Sequence, residues 1–397
     1  MSLREAARRA PCDSGYLSKV ARGTRRPSGD LAGRLDEMLG AEGTLAALAA
    51  TRRDVLKLGL AAPLTPEALR LVLAESAGDA MEFTADAAAT AVGRGTFAQL
   101  DAVAAGLDRA YSAQPPGGLF PLTRHYRARV QRLASGPCTL AQKRELYVYA
   151  ARLSEILAWL AHDLGDPLAA HAWAADCFEH ADQAGHGELC GWAADAMASV
   201  ALYAGRPRRV IEAALAGLAR VPAGHVLAVR LQAQAARGHA RLGERDAAAE
   251  LITAAEGAAA RLARRDDDRA PGDALLAAFA VTSYPASCYV WLGDFTAAAA
   301  YARRAVEVHE SARGSSPSRE AIARIDLAIA LAGQGEPGEA AALGCQALSS
   351  PRVVDSVRAR AGDLDAVLAS RYPGQADAAA FRDQHAQMTA AHREITA

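Results

Sequence analysis

Aromatic residues make up only 5% of this 397-residue chain, and nowhere do Val, Ile, Thr and Tyr alternate with polar residues in the period of two that a half-buried strand needs. A large sheet is excluded on those grounds. The chain also lacks a Gly-rich phosphate loop set on a strand, a nucleophile elbow, and a pair of acids in a setting that would tune them, so no enzyme and no cofactor is expected. Its six cysteines (Cys12, Cys138, Cys177, Cys190, Cys288, Cys345) follow no disulfide-framework spacing and no signal peptide stands before them, which reads as a cytoplasmic chain with reduced thiols. Arg52-Arg53 followed by Val55 to Ala62 looks like a twin-arginine export signal, but it begins too far into the chain, is interrupted by Lys57 and is closed by Pro63. The expectation is a linker helix over 49–64 and no membrane partner.

Ala and Leu dominate what is present, a composition suited to helices that pack closely through small side chains. Charge is unevenly spread. Residues 1–34 carry eight Arg or Lys against three acids, a net +5 that leaves −6 on the remainder of a chain totalling −1. A basic end on an acidic chain points to a polyanion as its partner, nucleic acid first.

Within that end, Ser2-Leu3-Arg4-Glu5 has the form of a capping box and predicts a helix over 3–10. Pro11-Cys12-Asp13 breaks it, and a second helix runs from Ser14 to Arg22, stopped by Gly23. Leu17, Val20 and Ala21 form its inner set; Ser14, Tyr16, Ser18, Lys19 and Arg22 form a polar and cationic outer set, continued by Arg25 and Arg26 in the next loop. Ser28 caps a third helix over 29–39 with Leu31, Leu35 and Leu39 on one stripe. Such a face presents hydroxyls and Lys19 to a DNA groove and Arg25 and Arg26 to phosphates.

Leu3-Arg4-Glu5-Ala6-Ala7, Gly15-Tyr16-Leu17-Ser18-Lys19-Val20, Arg22-Gly23, Arg25-Arg26-Pro27-Ser28 and Leu35-Asp36 together resemble the XRE-type helix-turn-helix of actinobacterial regulators. The resemblance implies that 1–48 is a DNA-binding segment, that Ser14 to Arg22 is its recognition helix, and that a homodimer reads two half-sites of a double-stranded operator. Family members carry one further helix ahead of the position of Ser2, so the segment is expected to lack its first helix.

From 149 to 350 a ladder recurs around the turn glycines Gly165, Gly205, Gly243, Gly293 and Gly335. Seven residues before each stands Ala158, Ala198, Ala236, Ala286 or Ala328; five after stands Ala170, Val210, Ala248, Ala298 or Ala340; twelve after stands Cys177, Gly217, Ala255, Ala305 or Ala347. Small residues at fixed offsets mark places where two helices approach most closely. The offsets resemble the tetratricopeptide pattern, which implies an all-α solenoid of antiparallel helix pairs over 65–397. The turn spacings of 40, 38, 50 and 42 imply longer helices or looser loops than the usual ~34-residue repeat. Arg264 to Gly272 reads as an exposed loop, and breaks near Gly93-Arg94-Gly95 and Pro115-Pro116-Gly117-Gly118 separate the helices upstream.

Three further features have a functional and an ordinary reading. Cys177, His180, His186 and Cys190 stand at helical spacings that zinc could use, but Cys177 already occupies a packing position, so no metal is expected. Trp159, Trp173, Trp192, Trp291, Tyr203, Tyr284 and Tyr289 could line a groove, though most are expected in the core. Arg124 to Arg132 reads as a solvated cationic face. The combined order implies a transcriptional regulator whose array senses a peptide, small-molecule or protein ligand and carries the dimer; the alternative is a scaffold that binds a protein and never touches DNA.

Overall fold

The computed structural model describes residues 2–22, 24–25, 27–39, 73, 76–81, 92–264, 271–311 and 316–396, and every regular element among them is a helix. They fall into two compact units, Met1–Gly78 and Asp79–Ala397. The expected linker over 49–64 and the helix start at Thr65 lie outside the described residues, as do Gly23, Arg26 and most of the Arg264 to Gly272 loop.

In the first unit Ser2 accepts from the Glu5 amide at 3.2 Å and starts α1 (Leu3–Arg9); Asp13 accepts from the Tyr16 amide at 2.8 Å and starts α2 (Ser14–Ala21). Ser28 holds the Leu31 amide at the start of α3 (Gly29–Leu39). The three helices bury Ala6, Ala7, Ala10, Leu17, Leu31 and Leu35 together. Two expected core positions differ. Leu39 is 57% exposed because it ends its helix, and Ala21 is exposed while Val20 is half-buried, so Leu17 is the one fully buried residue of α2, with Tyr16 packed beside it.

The second unit begins with α4 (Arg94–Tyr111) and α5 (Pro116–Ser135), which start at the predicted breaks. Helix pairs follow: α6 (Leu140–Leu164) with α7 (Pro167–Ala184), α8 (Gly187–Tyr203) with α9 (Pro207–Leu218), and α10 (Val226–Arg241) with α11 (Arg245–Ala263). After the short α12 (Pro271–Ala280) come α13 (Ser283–Trp291) with α14 (Phe295–Ser311), α15 (Pro317–Gln334) with α16 (Pro337–Leu348), and α17 (Asp355–Arg371) with α18 (Ala376–Thr396). The residues 273–291 are apolar enough on average to cross a membrane, with a mean hydropathy of 1.3, but they divide between α12 and α13 and most of them are interior.

All five ladder glycines have positive φ, between 68° and 97°, a conformation that a side chain disfavours and that turns each inner helix back into its outer partner. The ladder's small residues are buried throughout: Ala158, Ala198, Ala236, Ala286 and Ala328 are fully covered, and so are Ala170, Val210, Ala248, Ala298 and Ala340. A Cβ at Gly217 would stand 2.5 Å from that of Ala194, so this rung admits only glycine.

The first helices of the pairs touch in succession, α6 to α8, α10, α13, α15 and α17, and α17 returns to touch α6. The inner helices thus form a closed ring. Inner and outer helices differ in burial accordingly: α8 is covered on nearly every side, whereas α9 buries only Val210, Ala214 and Gly217. Arg352, ahead of α17, seals the ring by donating to Asp163 of α6 at 2.6 Å, to Ser318 at 3.0 Å and to the Gln114 carbonyl at 3.4 Å, with its guanidinium 4.8 Å from the Tyr111 ring. Arg352→Met should cost about 2 kcal/mol, because Tyr111 still donates to Asp163 at 2.8 Å and leaves that carboxylate partly satisfied. Amide hydrogen exchange should then quicken at the start of α17 and not in α10; unchanged exchange there would mean that the contact holds nothing.

The cationic stretch Arg124 to Arg132 differs from expectation. Arg127 is buried, and pairs with Asp176 at 2.7 Å while donating to Ser154 at 2.8 Å; Arg129 is buried and donates to the Met81 carbonyl. Arg124, His125, Gln131 and Arg132 face solvent, so two of the four arginines of the apparent cationic face bind the helices together instead.

Candidate functional site

The ring encloses a cavity of about 80 Å³, and every inner helix contributes to its wall. Trp159 and His162 come from α6, Ser199 and Tyr203 from α8, Arg230 and Arg237 from α10, Ser283, Tyr284 and Ser287 from α13, Ser318 and Arg319 from α15, and Ser356 from α17. Phe279 of α12 lies among them. Arg230 and Arg237 share one face of α10 because they are seven residues, two helical turns, apart.

The arginines are unequally neutralised. Arg230 donates through Nε to the fully buried Asp195 at 2.6 Å, and Gln234 donates to the other Asp195 oxygen at 2.8 Å. Arg352 and Arg360 likewise have Asp163 and Asp326. Arg237 reaches neutral partners alone, the amide oxygen of Gln234 at 3.1 Å and the Tyr203 hydroxyl, and lies 4.6 Å from the Tyr284 ring. Arg319 makes no ion pair or hydrogen bond among the described residues; its guanidinium stands 5.3 Å from the Phe279 ring. Asp163 also lines the cavity but is taken up by Arg352 and Tyr111, so among the described residues two positive charges face the cavity without a carboxylate of their own.

Donors are left over as well. Arg230 Nη1, Arg237 Nε and the Ser283 hydroxyl are buried without a hydrogen-bond partner, in side chains 2%, 5% and 2% exposed. Burial, and then the neighbouring Arg230 charge, hold the Arg319 guanidinium below its ordinary arginine value. Nearby Glu155 does not supply the missing charge: burial, with the Asp108 carboxylate second, pushes its carboxyl up to about 8, so it is largely protonated at neutral pH. Buried donors without acceptors and cations without anions are both costly, and an oxyanion would satisfy them together.

Of the residues predicted for DNA contact, Ser14, Lys19, Arg22 and Arg25 are exposed, and Ser18 is half-buried. Tyr16 is turned inward: its hydroxyl accepts from the Ser28 amide at 3.1 Å and its ring lies under Arg25 at 5.3 Å. Arg26 lies outside the described residues. The four candidate zinc residues are engaged separately: Cys177 donates to the Leu189 carbonyl, His180 bonds the Asp176 carbonyl at 2.8 Å, and His186 accepts from the Leu189 amide, while burial pushes up the thiols of Cys177 and Cys190.

The aromatics pack in or against the hydrophobic clusters, as expected of most of them, and some also face the cavity. Trp159, Tyr203 and Tyr284 line the cavity as well as packing, Trp192 and Trp291 lie under the guanidiniums of Arg230 and Arg237, and Trp173 and Tyr289 only pack. Sequence reading missed Arg230, Arg237 and Arg319. For Arg230 the available signal was a lone acid inside an apolar inner helix, Ala193-Ala194-Asp195-Ala196, since such an acid must have a buried cation opposite; no such acid marks Arg237 or Arg319.

A tetratricopeptide repeat family model matches residues 280–351, which span α13 to α16. Those two helix pairs are tetratricopeptide repeats, and the pairs on either side stack in the same manner with the same ladder. No curated protein matches the chain. The match is to residues 280–351, within an array that is helical throughout among the described residues.

Proposed function

We propose that the chain is an interaction scaffold of the tetratricopeptide type, without catalytic activity, that holds a protein partner on the outside of its ring. The repeat match over 280–351 carries this reading. The ring supports it in a specific way: its inner face is closed by Arg352 and Asp163, so a protein chain has only the outer helices to dock on, and these bury one stripe each and leave the opposite face to solvent. Cross-linking of the full chain in its cell of origin, followed by reconstitution with the protein found, should give a defined complex that persists at high salt and joins residues of α7, α9, α11 or α14. A chain that stays alone in that assay while shifting DNA would overturn the scaffold in favour of the second reading.

That second reading, a DNA-binding regulator acting as a cytoplasmic homodimer, is favoured by one observation: Lys19, Arg22 and Arg25 are all exposed on or just after a helix whose Leu17 is buried against α1 and α3. On promoter DNA, the double substitution Arg22→Ala and Arg25→Ala should weaken binding at every sequence and lower the slope of log affinity against log salt by about 2. A mobility shift that ignores both salt and the double substitution would remove this helix from the interface.

A further inference from the structure

We propose that the cavity inside the ring is a binding site for a phosphoryl group, carried by a small molecule and held by Arg230, Arg237 and Arg319. This goes beyond the scaffold and does not depend on it, since the ligand sits inside the ring and a protein partner outside. Three observations lead to the same chemistry. Among the described residues Arg237 and Arg319 have no carboxylate partner, so the cavity calls for two negative charges, the charge of a phosphate monoester at neutral pH. Arg230 Nη1, Arg237 Nε and the Ser283 hydroxyl are buried donors without acceptors, and they reach the cavity from α10 and α13 while Arg319 reaches it from α15. Donors arriving from three helices suit the several oxygens of a tetrahedral group better than the flat pair of a carboxylate. The volume, about 80 Å³, admits such a head group and not a folded partner.

Another cationic cavity in the unit shows the contrast. There the buried cation, Arg127, is satisfied by both oxygens of Asp176 and by Ser154, and no buried guanidinium is left over. In the ring cavity the wall also carries Trp159, Phe279 and Tyr284, which offer apolar contact to the organic part of an ester.

The test is thermal unfolding and calorimetric titration of the full chain with inorganic phosphate, phenyl phosphate and malonate, each against chloride at equal ionic strength. Both phosphates should raise Tm in a saturable way and bind more tightly than malonate. Equal affinity for the two phosphates assigns the site to the free ion, and tighter phenyl phosphate assigns it to an ester; both outcomes support a phosphoryl site. Arg319→Gln should weaken binding by more than about tenfold, the loss of one charge-assisted contact, yet melt no lower than the parent in chloride because no ion pair is removed. Ser283→Ala should weaken binding less and leave the fold intact. No response to either phosphate, a response to malonate as strong as to phenyl phosphate, or full phosphate binding in Arg319→Gln would each overturn the assignment.

Discussion

Asp326→Ala should destabilise the second unit by about 3–5 kcal/mol, the cost of leaving a buried guanidinium without its counter-ion. Asp326 is fully buried on α15 and accepts from Ser287 at 2.6 Å and from Arg360 Nε at 3.0 Å, with a second bond from Arg360 Nη2. Arg360 is 2% exposed and lies over the Trp291 ring at 5.4 Å, so neither water nor a rotamer change relieves it. Its remaining partner, Asp363, is half exposed and cannot replace a buried charge. Urea unfolding should show a lower midpoint with an unchanged slope, whereas Asp363→Ala should cost less than about 1 kcal/mol. Replacing both Asp326 and Arg360 by leucine should recover most of the loss, since removing a buried pair is far cheaper than breaking it. Equal effects of Asp326→Ala and Asp363→Ala would show that the interior pair is not the anchor of α17.

The second large effect is expected from Ala298→Trp. Ala298 sits five residues after a turn glycine, is wholly covered, and packs in the cluster that also holds Ala286, Ala302 and Ala328. An indole there forces α14 away from its neighbours and should cost about 3 kcal/mol or more, at the upper end for overpacking, with unfolding of the α13–α14 pair. Ala300, two residues on, is exposed, and Ala300→Trp should fall within about ±0.5 kcal/mol. Limited proteolysis separates the outcomes: Ala298→Trp should be cut within 283–311 under conditions where Ala300→Trp is not. Equal resistance would mean that the repeat register is misplaced.

The repeat register was legible because its cause is local. Each turn glycine reverses the chain within a few residues and each small residue is demanded by the helix directly opposite, so the requirement recurs in every repeat as a visible ladder. Closure was not legible. Arg352 and Asp163 are 189 residues apart, and whether they meet depends on small rotations accumulated over the intervening pairs, which no single repeat records. The cavity was hidden for the same reason: Arg230, Arg237 and Arg319 read as ordinary charges on amphipathic helices until the ring places them face to face. In the first unit, α2 was legible from its Asp13 cap and Leu17, while the inward turn of Tyr16 depends on the Ser28 amide twelve residues away.

Ring closure also changes how the molecule comes apart. An open solenoid is close to a one-dimensional chain of units, and it can fray from either end because a terminal repeat has a single neighbour. With α17 seated on α6, the first and last inner helices each gain a second neighbour, and the loss of any one pair exposes two interfaces at once. Unfolding of the second unit therefore tends toward a single cooperative event, and the interior charges are kept from water until the whole ring yields.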